Sequence, residues 1–217
     1  MLQYYGQFDP PVDKVIHERY FKNKYNGVSI ECGAFDGLTE CCSIFFEKNY
    51  NWKTINIEPL NIAFTKLLIN RPLSVNLNIA LSNNNNDKLF INYKHPTLGY
   101  YWGNGSLSHT IEHTNSLKEM CGNNNYSTQV VKCETYKSII ERLNITQLDL
   151  FILDVEGHEL DVIDGMVNCD VLPDLFIIEH GHRNPEVFVE KLKCLNESYK
   201  LDYISFVNSF FVKENLK

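Results

Sequence analysis

One run, Leu148-Asp149-Leu150-Phe151-Ile152-Leu153-Asp154, constrains this chain more than any other stretch. It is almost wholly apolar and far too short to span a bilayer, so it reads as a strand buried on both faces of a parallel sheet, with helices covering each side. The patterns around it alternate in the same sense. Residues 27–32 read as a short strand ending at Gly33, residues 39–48 as a helix, residues 53–58 as a strand running into Pro59, residues 62–69 as a helix and residues 74–81 as a third strand. Beyond an irregular middle, residues 138–143 read as a helix, 159–166 as a helix, 174–179 as a strand and 185–195 as a helix. Residues 201–206 and 209–212 read as a closing antiparallel pair. Repeated strand-then-helix order predicts an α/β fold, a Rossmann-like, doubly wound, mostly parallel sheet with an antiparallel C-terminal hairpin and an inserted loop or hairpin around residues 83–130. The asparagine runs at 83–86 and 123–125 mark turns in that insertion.

Composition narrows the function. The 217 residues fit one domain, taken as residues 1–217. A net charge of -7 argues against a nucleic-acid partner, because backbone binding needs clustered Lys and Arg. No apolar run approaches the ~20 residues of a transmembrane helix, so no membrane span is expected. The opening Met1-Leu2-Gln3-Tyr4-Tyr5-Gly6-Gln7 lacks the basic start and apolar core of a signal peptide. Seven cysteines, odd in number and without C-x-x-C spacing, fit a reduced compartment. The expectation is a cytoplasmic protein acting on a small molecule or a glycan.

In a doubly wound sheet, ligands bind beyond the carboxyl ends of the strands, where strand order reverses. The first strand ends there in Glu31-Cys32-Gly33-Ala34-Phe35-Asp36-Gly37, a turn in which Gly33 and Gly37 would let the backbone approach a ligand closely. Glu31 takes the place of the first glycine of the dinucleotide fingerprint G-x-G-x-x-G, where its charge would repel a pyrophosphate and attract an ammonium. Glu58, ending the second strand, stands where an acidic side chain commonly holds ribose hydroxyls.

These segments carry a resemblance. Gly27 through Gly37, Phe46-Glu47-Lys48 with Trp52, Ile57-Glu58-Pro59, Ala80-Leu81-Ser82 and Asp154-Val155-Glu156-Gly157-His158-Glu159 together resemble the FkbM-type methyltransferase family, and Gln3 through Asp9 is similar to its N-terminal Gln/Gly/Gln/Asp motif. The resemblance covers residues 1 to about 182. It implies a class I methyltransferase domain, S-adenosylmethionine as cofactor, and a hydroxyl acceptor on a sugar, a glycan or a polyketide-type small molecule. It places the cofactor among Glu31, Gly33, Ala34, Phe35, Asp36, Gly37, Glu58, Pro59, Ala80, Leu81 and Asp154.

Methyl transfer to a hydroxyl needs alignment and also a base or metal, since a neutral hydroxyl is a poor nucleophile. Asp154 is the expected catalytic residue on the acceptor side, with His180 or His182 as the base and His158 and Glu179 as substrate contacts. A magnesium ion held by Asp154 and Glu179 is the alternative. Tyr100 and Trp102 lie in a long aromatic loop and would stack on a sugar ring or adenine, or else pack as an extra hairpin. Glu159 reads equally as a first-turn acid complementing its helix. His17, His95, His109 and His113 carry no motif and are expected at the surface or in loops. Two other classes remain: a dinucleotide oxidoreductase, for which Glu31 is unsuited, and an inactive binding module on the same scaffold.

Overall fold

The computed structural model describes residues 2–214 and 216. Helix α1 (Val12–Arg19) leads into β1 (Val28–Cys32), followed by α2 (Ser43–Tyr50), β2 (Lys53–Ile57), α3 (Asn61–Asn70) and β3 (Val75–Leu77). The middle contains β4 (Ala80–Leu81), β5 (Lys88–Tyr93), α4 (Ile111–Cys121), β6 (Tyr126–Val131) and β7 (Cys133–Glu134). Then come α5 (Tyr136–Arg142), β8 (Leu150–Leu153), α6 (Glu159–Asp164), β9 (Leu175–Glu179), α7 (Glu186–Leu195), β10 (Tyr199–Ser205) and β11 (Asn208–Lys213).

Seven strands form one sheet in the order β10-β11-β9-β8-β1-β2-β3. All neighbours from β3 through β9 pair in parallel, and β11 runs antiparallel to both β9 and β10. This is the Rossmann-like, doubly wound sheet with an antiparallel C-terminal hairpin that the alternating pattern predicts. Successive strand residues point to opposite faces, and here both faces are covered. Phe151, Leu153, Phe176, Ile178 and Phe211 pack with Ile139 of α5, Val162 of α6 and Phe188 of α7 on one side. Leu150, Ile152, Leu175, Ile177 and Phe210 pack with Val12 and Ile16 of α1 and Phe45 and Phe46 of α2 on the other. That two-sided burial explains why β8 is apolar at consecutive positions. Each fully buried large side chain contributes about 1.5–3 kcal/mol.

The structure departs from the sequence pattern at four places. Helix α2 begins at Ser43 rather than at residue 39, because the Glu31 carboxylate accepts the Cys42 and Ser43 amides at 2.8 and 3.0 Å and anchors the helix start there. The strand expected over 74–81 breaks after β3. Asn78 turns its side-chain amide to the Glu58 and Pro59 carbonyls, and β4 pairs with β7 outside the main sheet. The insertion is an antiparallel β5–β6 hairpin, but it also encloses α4, whose cap Thr110 accepts the His113 amide. The N-terminal helix α1 was not visible in the pattern, because Asp13 and His17 are buried among its apolar residues through polar partners: the Tyr5 amide donates to Asp13, and the Tyr50 hydroxyl meets His17 Nε2 at 2.6 Å. No helix among the described residues is long and apolar enough to cross a membrane, and their seven cysteines are all free.

Candidate active site

The strand order reverses at β1, which pairs with β2 on one side and β8 on the other. A cavity of about 450 Å³ opens beyond the carboxyl ends at that point, within the roughly 300–1,000 Å³ typical of small-molecule sites. Cys32 and Gly33 line it after β1, Glu58, Pro59 and Leu60 after β2, Ala80 and Leu81 in β4, and Asp154, Val155 and Glu156 after β8. The insertion contributes Phe90, Tyr101, Trp102 and Leu107, and the N-terminal segment contributes Gln7. The lining therefore combines apolar side chains with the carboxylates of Glu58, Asp154, Glu156 and Glu179.

Glu58 is buried, and its two carboxylate oxygens accept the Phe35 and Leu60 amides at 3.0 and 2.7 Å. Burial without a cationic partner raises its pKa to about 8. Asp154, Glu156 and Glu179 bring one carboxylate oxygen each to within 4.8 Å of one another. Asp154 opens onto the cavity, yet protein crowds it closely enough that burial, and then the Glu179 charge, holds its pKa well above the usual range. Burial and Asp154 do the same to Glu156, while burial and Glu156 raise Glu179 to about 7. Three acids that repel one another in a partly dry site favour either shared protons or a cation.

Glu156 and Glu179 also face a second cavity of about 250 Å³, lined by Thr110, His113, Gly157, Glu159, His180, Gly181, His182, Arg183 and Val207. Glu156 and Glu179 are thus a common wall, with Asp154 on the side of the first cavity.

The model of the FkbM methyltransferase domain matches residues 31–213, most of the chain. The chain belongs to the FkbM methyltransferase family. An FkbM methyltransferase from Methylobacillus flagellatus KT has a similar fold, with a TM-score of 0.54 and 13% identity over 92% of this chain and 50% of that one. The chain spans about half the length of that protein. A methyltransferase from Pyrococcus furiosus aligns with a TM-score of 0.44 and 14% identity over 98% of this chain and 88% of that one. The fibrillarin pre-rRNA processing protein of Methanococcus jannaschii aligns with a TM-score of 0.43 and 12% identity over 87% of this chain and 66% of that one. No curated protein sequence matches.

Of the cofactor residues that the FkbM resemblance implies, Gly33, Phe35, Glu58, Pro59, Ala80, Leu81 and Asp154 line the first cavity. Glu31 does not. It is buried, and it accepts the Cys42 and Ser43 amides at the start of α2 and the Cys41 thiol. Ala34 and Gly37 also lie outside the lining, Ala34 buried with its amide on the Ile57 carbonyl and Gly37 packed against the side chains of Leu67 and Arg71. Asp36 acts one step removed, accepting a hydrogen bond from the Tyr101 hydroxyl at 2.9 Å and so fixing a ring that packs, tilted by 33°, on Phe35 with centroids 4.5 Å apart. Gly33 is required for a protein contact: at φ +89° its missing Cβ leaves room for the Asp154 carbonyl, which a Cβ would meet at 1.8 Å. The backbones that follow β1 and β8 touch there.

Of the acceptor-side residues, Glu179 and Trp102 reach the first cavity, whereas Tyr100 does not and its neighbour Tyr101 takes that place. His158 borders the cavity but has no free ring nitrogen, since Nδ1 meets Ser108 Oγ at 2.7 Å and Nε2 meets Ser82 Oγ at 3.0 Å. Burial lowers its pKa to about 4, so it is a neutral tie between the insertion and the turn after β8. Glu159 is likewise structural. It is almost wholly buried, accepts the Gly157 amide at 2.8 Å and pairs with Arg183 at 2.7 Å. His180 and His182 line the second cavity, with His180 Nδ1 bonded to Ser209 Oγ. Two residues received no role in the sequence reading: Glu156, named there only within its motif, completes the carboxylate group, and His113 lies beside it. Only the Asp-Val-Glu-Gly-His-Glu motif itself could have pointed to Glu156, and nothing in sequence pointed to His113.

Proposed function

We propose that this chain transfers a methyl group from S-adenosylmethionine to a hydroxyl oxygen, most suitably one on a sugar or glycan. The convergence of Asp154, Glu156 and Glu179 between two cavities carries this reading, because it joins a cofactor-sized site to a polar one through groups that favour positive charge. The residues fit the cofactor. Pro59, Leu60, Ala80, Leu81 and Phe90 offer apolar surface for a planar base, Glu58 a carboxylate for ribose hydroxyls, and the three acids a counter-charge for a sulfonium and an ammonium. Bound there, the cofactor supplies an electrophilic methyl group.

The protein's part is to align and deprotonate. In this reading Asp154 and Glu179, which line the first cavity, would meet the acceptor oxygen, and the Trp102 ring, which lines it too, suits a neutral sugar face. His113, His180 and His182 in the second cavity are available for the proton. The three carboxylates also form an oxygen donor set suited to magnesium, and a loss of turnover on chelation that magnesium restores would assign a metal to them. Titration calorimetry with S-adenosylmethionine, S-adenosylhomocysteine and NAD tests the whole. Binding of the two sulfur compounds alone supports the reading, and a screen of methyl glycosides follows. Heatless titrations with folded protein would leave an inactive scaffold.

A further inference from the structure

The carboxylates around the first cavity suit the sulfonium and the ammonium of the proposed cofactor and leave its α-carboxylate without a partner. Among the described residues, no lysine or arginine lines that cavity. Most of the side-chain N–H and O–H donors in the lining are already committed. Tyr101 and Thr39 both give their hydroxyls to Asp36, Trp102 gives its indole N–H to the Tyr93 carbonyl at 2.6 Å, and both ring nitrogens of His158 meet serine hydroxyls. Gln7 is the exception. It lines the cavity, it is exposed, and its side-chain amide is free of partners among the described residues. A primary amide carries two N–H donors and no charge, so it can hold a carboxylate without neutralising the acids nearby.

We propose that Gln7 is a cofactor-binding residue: its side-chain amide donates to the α-carboxylate of S-adenosylmethionine, and the segment before α1 is part of the cofactor site. This rests on the S-adenosylmethionine reading above. The α-carboxylate and the ammonium of an amino acid sit on one carbon, so the donor to the first must stand near the acids that face the second. Gly6 pairs with Glu40, which lines the same cavity and whose charge is felt by Asp154, Glu156 and Glu179. Gln7 follows directly in the chain. Its backbone is held by the protein itself: the Gln7 carbonyl accepts the Val12 amide at 3.1 Å, the Tyr5 amide donates to Asp13 at 2.6 Å, and Tyr4 stacks on Phe45 with centroids 4.5 Å apart. Gly6 lets the segment lie this close, because a Cβ there would meet the Val12 and Asp13 nitrogens at 2.8 and 2.9 Å. A segment so fixed leaves only one side chain to order when the ligand binds.

Titration calorimetry with S-adenosylmethionine and with its decarboxylated analogue, which keeps the sulfonium and the amine but lacks the carboxylate, isolates the contact. Gln7 is exposed, so its replacement leaves the core intact. Gln7→Ala is expected to weaken S-adenosylmethionine binding by about 10-fold, the lower end for a hydrogen bond to a charged group, and Gln7→Glu, which sets a like charge against the carboxylate, by more. Gln7→Ala is expected to bind the decarboxylated analogue within about twofold of the parent, because the group that Gln7 holds is missing there. Undiminished affinity of Gln7→Ala for S-adenosylmethionine, or an equal loss for both compounds, would overturn the assignment. Failure of the broader reading shows separately, as a parent protein that binds neither compound.

Discussion

Gly157 offers a test in which strain and steric overlap separate. It has φ +113°, a conformation that costs a side-chain-bearing residue about 2 kcal/mol, and an added Cβ would also meet Ser108 O at 2.8 Å, Thr110 N at 2.8 Å and His109 Cα at 3.0 Å. All three are main-chain atoms at the start of α4, so they yield only if the insertion moves. Forcing that movement costs about 2 kcal/mol more, typical of overpacking. Gly103, in the same insertion, has φ +84° and nothing within 4 Å of its Cβ position, so Gly103→Ala bears the strain alone. With each kcal/mol worth about 2–4 °C in a chain of this size, Gly157→Ala should lower Tm by roughly 8–16 °C and Gly103→Ala by roughly half as much. Scanning calorimetry on both variants decides the matter. Equal losses, or a smaller one at Gly157, would mean that the insertion is not seated on the turn after β8, and the placement of His113 would fall with it.

Arg71→Met should destabilise the fold by about 3 kcal/mol in urea unfolding, since the wholly buried guanidinium pairs with Glu47 at 2.7 Å and also donates to the Gly37 carbonyl, Ser43 and Thr54; adding Glu47→Gln should recover part of the loss. Glu58→Gln should weaken S-adenosylmethionine binding by about 10–100-fold, the worth of a hydrogen bond to a charged group, and calorimetry in buffers of different ionisation enthalpy should show the parent releasing protons at pH 7, because a Glu58 that holds its proton to about pH 8 must lose it to receive ribose hydroxyls. Stability should fall as pH rises from about 6.5 to 8. Glu58 and Glu179, with folded pKa values raised to about 8 and 7, bind more protons folded than unfolded above pH 4.5, and each weakens the fold by roughly 1 kcal/mol per pH unit until its folded pKa is passed. His113 and His158, lowered to about 4, oppose this only up to about pH 6.5, where the unfolded histidines also lose their protons. A melting temperature that climbs between pH 6.5 and 8 would refute the assignment.

The sheet was legible because its cause is local. A strand covered on both faces must be apolar at consecutive positions, as Leu150 to Leu153 are, and strands joined by helices can pair only in parallel. The turn after β8 was legible too, since Asp154, Glu156 and Gly157 are neighbours in the chain. Other features depended on partners far along it. Glu31 reads as a ligand-facing acid until the α2 amides arrive to claim it, and His158 reads as a substrate contact until Ser82 and Ser108 occupy both its nitrogens. Helix α4 buries only Leu117 and Cys121, too thin an apolar stripe to announce itself, yet it brings His113 next to Glu156, 43 positions away by number. The sequence by itself determined which segments must be buried, and with that a doubly wound, mostly parallel sheet closed by an antiparallel hairpin. Tertiary structure alone decided which acids and imidazoles remain free at the cavities, because a side chain's hydrogen bonds are taken by whatever the fold brings within 3 Å, and that neighbour is written elsewhere in the chain.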